Sequence, residues 1–127
     1  MPDLRYSLFP KGMKAVRLEI EIDESQALLS DYELWHYVLN YWYLPESEED
    51  GEAFEAELNE LGLSPYTTKP LPHPDYDLKV RNSWLRIFDI DWAAPGIASA
   101  RDEKSIQAVF WELTMSQVKK VKEFTAK

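Results

Sequence analysis

A stretch of 51 residues, numbered 18–68, contains fourteen acidic side chains and no lysine or arginine. Because no cation lies nearby in the sequence, a fold that crowded these carboxylates together would be destabilised by their mutual repulsion. They must either be solvated on a helix surface, which is the ordinary role of a charged run, or face a basic partner. Eight of them fall within fifteen positions and form the predicted acidic face: Glu46, Glu48, Glu49, Asp50, Glu52, Glu55, Glu57 and Glu60.

The composition predicts one domain that spans residues 1–127. Hydrophobic residues make up 45% of the chain, which is enough for a core, and no apolar run approaches the ~20 residues of a membrane span. The absence of cysteine excludes disulfides and thiolate zinc sites. A net charge of −9 argues against direct binding of nucleic acid. We therefore expect a cytoplasmic protein without a membrane anchor.

Two segments have the patterns of β-strands. Apolar and charged residues alternate over 14–22, which predicts a strand with one buried face formed by Val16, Leu18, Ile20 and Ile22. Residues 105–113 are apolar on both faces, which predicts a central strand that is covered on each side.

Capping signals predict four helices. A capping box at Ser30–Glu33 predicts a helix over 31–40, and Ser47 and Gly62 delimit a helix in the acidic helical segment 44–62. A proline-rich connection covers 63–74. The third helix runs to about residue 88 from a cap at Asp75 or Asp77, and the fourth is a short helix after the capping box of Thr114 and Gln117. These elements predict an α+β fold, with a small antiparallel or mixed sheet of two to four strands packed with about four helices.

An aromatic cluster over 35–43 has two readings that the sequence leaves open. It can stack on a ligand, with His36 as an acid or base, or it can fill the space between helix and sheet. Neither histidine has a second ligand at metal spacing, no catalytic motif is present, and neither a cofactor nor a metal is expected. The candidate ligand or packing residues are Trp35, His36, Tyr37, Tyr41, Trp42 and Gln107.

Three segments, 28–45, 83–92 and 105–113, resemble the bacterial and phage family named domain of unknown function 3841. The first, LLSDYELWHYVLNYWYLP, is the most specific of them. The resemblance covers nearly the whole chain and implies an architecture without an activity. It also implies that the chain lacks an N-terminal strand-and-helix region that family members usually have.

A weaker similarity concerns Gln107 and the pattern Val118, Val121, Phe124, which resembles the last strand and following helix of ADP-ribosyltransferase-like folds. Those folds usually have a glutamate where this chain has Gln107, and a neutral amide cannot activate an acceptor. The similarity therefore implies an inactive relative.

The leading functional hypothesis is a non-catalytic interaction protein whose segment 44–62 binds a basic surface of a protein partner. A phage or mobile-element inhibitor, or a mimic of nucleic acid, belongs to this class. The alternative is an ADP-ribosyltransferase-like or nucleotide-binding domain, inactive or degenerate. A third hypothesis is homo-oligomerisation through an open sheet edge.

Overall fold

Short helices are interspersed with four strands in the computed structural model, which describes residues 9–65 and 69–127. The α+β class is as predicted, but the described residues form three α-helices rather than about four. In chain order the elements are β1 (Lys14–Ile20), β2 (Ala27–Asp31), α1 (Trp35–Leu39), α2 (Glu48–Glu60), α3 (Pro74–Ser83), β3 (Ile106–Phe110) and β4 (Val118–Thr125).

The described residues fall into two compact units. The first contains residues 9–27 and 110–127, and the second contains the described part of 28–109. Strands β1 and β4 form one two-stranded sheet in the first unit, and β2 pairs with β3 in the other sheet. The three α-helices all belong to the second unit.

The predicted C-terminal helix is wrong, because residues 118–125 form strand β4. This strand pairs antiparallel with β1, from Lys14 opposite Thr125 to Ile20 opposite Val118, with an irregularity at the last pair. The capping box of Thr114 and Gln117 does form, but it caps a single 3-10 turn. The paired residues lie roughly 100 positions apart in the chain, so no local pattern indicates this pairing.

Neither apolar strand has the predicted burial. The side chains of Val16 and Leu18 in β1 are exposed, and so is Val109 in β3. A two-stranded sheet cannot cover its own faces, and apolar side chains on it stay in solvent unless another element packs there. The predictions of a buried β1 face and of a covered central strand at 105–113 are therefore wrong.

The predicted helix over 31–40 is shorter, because strand β2 extends to Asp31 before α1 begins at Trp35. The Asp31 carboxylate accepts hydrogen bonds from the backbone N–H groups of Glu33 (3.0 Å) and Leu34 (3.4 Å). The Ser30 hydroxyl instead accepts from the Trp35 indole N–H at 3.0 Å. The predicted Ser30–Glu33 capping box is therefore wrong, and the aspartate between them binds the free amides.

Helix α2 has the predicted limits. The Ser47 hydroxyl accepts a hydrogen bond from the Asp50 backbone N–H at 3.1 Å, which is a standard N-cap. Gly62 follows the helix with φ +73°, a conformation that glycine adopts with little strain. Acids in the first turn also interact favourably with the helix dipole.

Helix α3 begins differently from the prediction. Pro74 occupies its first turn, and Asp75 and Asp77 lie inside the helix rather than at its cap. Proline is well suited to this position because its missing N–H would have no partner there. Residues Trp84–Phe88 continue as a 3-10 turn, so the predicted helix to about residue 88 is α-helical only to Ser83.

The core of the second unit consists of two apolar clusters. The first contains Leu34, Leu44, Ile87 and Ala98. The second contains Phe54, Leu58, Leu71 and Val80, and therefore attaches the inward side of α2 to α3. Helix α2 is thus held in place by two of its own side chains, while its other sides carry the acids.

A buried ion pair links β2 to the segment before β3. The Lys104 Nζ lies 2.8 Å from the Asp31 Oδ2, and the side chains of Lys104 and Asp31 are 0% and 4% exposed. The Asp31 carboxylate also accepts the two backbone hydrogen bonds at the start of α1. One buried carboxylate therefore connects a strand, a helix start and a distant lysine.

The helices of the described segments contain between five and thirteen residues. None of them has the length and apolar character that crossing a bilayer requires.

Candidate binding groove

A groove with a volume of about 490 Å³ lies in the second unit, between α2 and the segment that follows α1. One part of its lining is aromatic and another part is acidic. The lining residues are Tyr37, Trp42, Tyr43, Pro45, Glu48, Gly51, Glu52, Phe54, Glu55, Pro65 and Ile97. The groove therefore brings together members of the two residue sets that the sequence singles out.

Helical spacing places three of the predicted acidic residues along the groove. Glu48, Glu52 and Glu55 are at positions i, i+4 and i+7 of α2, so they lie on one side of the helix. The Glu48 side chain lies against Gly96, where a Cβ would overlap the carboxylate, and Gly96 has φ +76°. The positive φ favours glycine at position 96, whereas the contact alone would require only that the flexible end of the Glu48 side chain move.

The three groove carboxylates have no counterion among the residues that the structure describes. The carboxylates of Glu48, Glu52 and Glu55 make no hydrogen bond or ion pair with any residue in 9–65 or 69–127. Glu48 and Glu52 are exposed, and Glu55 is half-buried. Among the described residues, therefore, no cation offsets the charge of these carboxylates.

Three of the other predicted acids serve the fold. Glu46 accepts a hydrogen bond from the Arg86 guanidinium at 3.3 Å, and Glu57 accepts one from the Tyr76 hydroxyl at 3.1 Å. Asp50 accepts from the Tyr43 hydroxyl at 2.7 Å and from the Glu46 backbone N–H at 3.0 Å. Glu49 and Glu60 are exposed and do not line the groove. The predicted acidic residues are thus divided among Glu46, which precedes α2, and several sides of α2 itself.

The aromatic wall of the groove follows an unusual end of α1. Tyr41 has φ +56°, a left-handed conformation that is normally taken by glycine. The Trp42 N–H donates to the Tyr37 carbonyl at 2.8 Å, and the Tyr41 N–H donates to the Val38 carbonyl at 3.2 Å, which together form a Schellman motif. This turn brings the Tyr37 and Trp42 rings into edge contact at 6.1 Å.

Core contacts fix this left-handed turn. The Tyr41 hydroxyl accepts a hydrogen bond from the Leu71 N–H at 3.4 Å, and its ring meets the edge of Trp84 at 5.6 Å. The Trp84 indole N–H donates to the Trp42 carbonyl at 2.7 Å. These contacts offset the cost of about 1–2 kcal/mol that a residue with a Cβ incurs in this conformation.

The structure separates the remaining members of the predicted aromatic cluster. Trp35 is a packing residue, with its ring edge-on to Phe88 at 6.2 Å. Tyr41 also packs in the core, His36 is exposed, and Gln107 is half-buried in β3 and does not line the groove. Only Tyr37 and Trp42 of the predicted set line it.

Sequence reasoning missed other lining residues, in particular Tyr43 and Phe54. Their rings stack at 4.1 Å, and the Lys79 Nζ lies 5.6 Å from the Tyr43 centroid and 5.2 Å from that of Phe54. This arrangement is typical of a cation–π contact. The sequence contained only weak signals for these two residues. Phe54 is one of the apolar residues that repeat along α2, and Tyr43 ends the aromatic run over 35–43.

The hydrogen bond between Tyr43 and Asp50 contributes to a pKa shift in both groups. Burial raises the pKa of Tyr43 to about 12, and the hydrogen bond to Asp50 and the charge of Asp50 act in the same direction. Burial opposes ionisation of Asp50, but hydrogen bonds from the Glu46 N–H and the Tyr43 hydroxyl outweigh it and lower the Asp50 pKa. The Lys79 and Arg86 charges also favour the carboxylate.

We expect Asp50→Asn to lower the free energy of unfolding at neutral pH. In acid, the difference in this free energy between the variant and the wild type should become smaller. A carboxyl whose folded pKa is lowered stabilises the fold above its unfolded pKa, near 3.8, and this stabilisation disappears as the pH falls through the folded value. Urea titrations between pH 7 and 3 measure the difference. Tyr43→Phe, which removes one of the hydrogen-bond donors to Asp50, should lower the free energy of unfolding by a smaller amount. A difference that stays constant with pH would contradict the role of the Asp50 charge.

The groove offers carboxylate oxygens and aromatic faces, which together suit a cation with an apolar body. No three His, Asp or Glu side chains in residues 9–65 and 69–127 are grouped so that they could hold a metal ion.

These elements define a small α+β protein with two two-stranded sheets and an acidic, aromatic groove. The chain belongs to the family described as "Domain of unknown function (DUF3841)", whose model matches residues 5–119. The match confirms the resemblance carried by segments 28–45, 83–92 and 105–113. Searches of curated proteins and of solved structures give no match.

Proposed function

We propose that this chain is a non-catalytic interaction protein that binds a basic surface of a protein partner through helix α2 and the adjoining groove. The observation that supports the proposal is a set of three carboxylates beside an aromatic wall, those of Glu48, Glu52 and Glu55, which have no counterion among residues 9–65 and 69–127. Opposite charge on a partner would steer the encounter and would be neutralised in the complex. An inhibitor or nucleic-acid mimic of phage origin, acting in the cytoplasm, belongs to this proposal.

Hydrogen bonding within the fold narrows the proposed binding surface to the acids that lie along the groove. Glu46, Asp50 and Glu57 already have hydrogen-bond donors within the fold, so their charges contribute less to an external partner. The carboxylates along the groove have no such donor in the part of the chain that the structure describes, and aromatic side chains beside them supply apolar contact area. A nucleotide is a poorer ligand for this groove, because its phosphates would approach three unpaired carboxylates.

Reversing the groove charges should weaken binding of a basic probe more than reversing equal charges elsewhere on α2. We expect Glu48→Lys with Glu52→Lys to reduce the affinity for an oligolysine peptide by roughly tenfold or more, measured by fluorescence anisotropy. Glu49→Lys with Glu60→Lys changes the net charge equally and serves as the matched control. Glu48 and Glu49 both lie in the first turn, so the helix dipole is perturbed similarly in the two variants.

Salt provides an independent check, since screening shortens the Debye length from about 30 Å at 0.01 M to about 3 Å at 1 M. Wild-type affinity should therefore fall steeply with salt. Equal affinities in low and high salt, or equal losses in the two double variants, would contradict the proposal. A melting temperature raised by millimolar NAD would instead favour the nucleotide-binding alternative.

A further inference from the structure

We infer that the groove is the anchor site for a single arginine side chain of the basic partner, an inference that rests on the proposed function. The groove presents two kinds of surface to one ligand: the rings of Tyr37 and Trp42, and the carboxylates of Glu48, Glu52 and Glu55. A group that binds both must be flat, cationic and able to donate several hydrogen bonds. Among protein side chains, arginine has all three properties.

The chemistry distinguishes arginine from lysine. A guanidinium is planar and weakly hydrated, so it stacks on an aromatic face while its N–H groups bind a carboxylate in a fork. A lysine ammonium is a compact and strongly hydrated charge, which gains less from an aromatic wall. Both cations respond to the general negative potential of α2, but only arginine uses the aromatic and acidic parts of the groove together.

The fold contains an internal arrangement of the same kind. The Arg86 guanidinium lies over the Trp92 ring at 5.3 Å from its centroid, and its Nη1 lies 3.3 Å from the Glu46 carboxylate. An aromatic ring and a glutamate thus hold an arginine within this chain. The groove offers the same pair of groups at Tyr37, Trp42 and the carboxylates. Lys79 lies over two other lining rings, Tyr43 and Phe54, but within residues 9–65 and 69–127 no cation lies over the Tyr37 or Trp42 ring.

The dimensions of the groove also fit a side chain with its flanking backbone. Its volume of about 490 Å³ exceeds that of a bare cation and lies within the range of about 300–1,000 Å³ for sites that enclose organic ligands. Pro45, Pro65 and Ile97 provide apolar surface for the methylene stem of the arginine. The occupant is therefore an arginine in an extended basic segment.

The test compares three blocked peptides that contain glycine, lysine and one central position, which is arginine, lysine or citrulline. Citrulline keeps the shape of arginine and removes its charge. We expect the affinity to fall roughly tenfold or more from arginine to citrulline and several-fold from arginine to lysine. Trp42→Ala should abolish the preference for arginine, and Trp111→Ala, which removes a fully exposed tryptophan outside the groove, should preserve it.

Glu52→Gln provides a second variant that changes charge without changing shape, should Trp42→Ala fold poorly. It should reduce the arginine-to-citrulline ratio. Equal affinities for the three peptides, with salt dependence retained, would overturn the arginine anchor and leave the proposed function intact. If no peptide binds even in low salt, the proposed function fails and the anchor fails with it. A dimer in sedimentation that Trp42→Ala dissociates would place a second copy in the groove and overturn the inference.

Discussion

Lys104→Met should lower the free energy of unfolding by about 3–5 kcal/mol, because it leaves the buried Asp31 carboxylate without its cation. The Lys104 Nζ and the Asp31 Oδ2 are 2.8 Å apart and both side chains are almost completely inaccessible to solvent. Methionine preserves most of the apolar stem, so the loss reports the uncompensated charge rather than a cavity. Chemical denaturation at neutral pH, with circular dichroism as the signal, measures the effect.

A matched control comes from a second ion pair with the same separation. Arg101 Nη1 and Asp91 Oδ1 are also 2.8 Å apart, but their side chains are 59% and 70% exposed. Exposed pairs contribute about 0–1 kcal/mol, so Arg101→Met should have a small effect. Combining Asp31→Asn with Lys104→Met should restore part of the lost stability, because no unpaired charge then remains in the interior. Similar losses for the buried and exposed pairs would contradict the argument from desolvation.

Leu58→Ala should be the second strongly destabilising change, with a loss of about 2–5 kcal/mol in the free energy of unfolding. Leu58 is fully buried in the cluster that contains Phe54, Leu71 and Val80, and alanine would leave a cavity there. Because Leu58 attaches α2 to α3, the same substitution should also weaken binding of basic peptides through partial loss of the groove. Denaturant titration and the anisotropy assay measure the two effects separately.

Leu61→Ala is the control that tests which side of α2 packs against the core. Leu61 follows α2, and its side chain is 51% exposed. Removing its apolar atoms should change the free energy of unfolding by less than about 1 kcal/mol. Equal losses for Leu58→Ala and Leu61→Ala would mean that α2 does not pack on its Phe54–Leu58 side.

Local signals predicted the elements whose ends depend on nearby side chains. Helix α2 has its hydroxyl cap at Ser47 and its terminating Gly62, both within one turn of the helix ends. The apolar stripe predicted for α2, which is Phe54, Leu58 and Leu61, includes two buried side chains, but the third, Leu61, is exposed. The alternation over residues 14–22 also predicted strand β1, although its faces are more exposed than expected.

The failures come from pairings between distant parts of the chain. The pattern Val118, Val121, Phe124 has helical spacing, but hydrogen bonding to β1 makes this segment a strand. Similarly, β2 replaces the start of a predicted helix because residues 27–31 pair with β3. In both segments the backbone N–H and C=O groups hydrogen-bond to a partner strand. Tertiary pairing of this kind overrides the local propensity for helix.

The groove was only partly predictable for the same reason. The sequence indicated three of its acids and two of its aromatic residues, Tyr37 and Trp42, but it did not indicate that they line one groove. Their meeting depends on the left-handed Tyr41, and a tyrosine gives no sign that the chain turns there. Contacts with Leu71 and Trp84, from much later in the chain, fix that turn.

The turn at Tyr41 has a consequence for the kinetics of association. Since the Leu71 N–H and the half-buried Trp84 indole hydrogen-bond to this turn, we expect the wall formed by Tyr37 and Trp42 to have its shape before a ligand arrives. On complex formation, the partner's segment then loses more conformational entropy than the groove does. Long-range attraction should govern how fast such a segment is captured, and the quality of ring stacking should govern how long it stays.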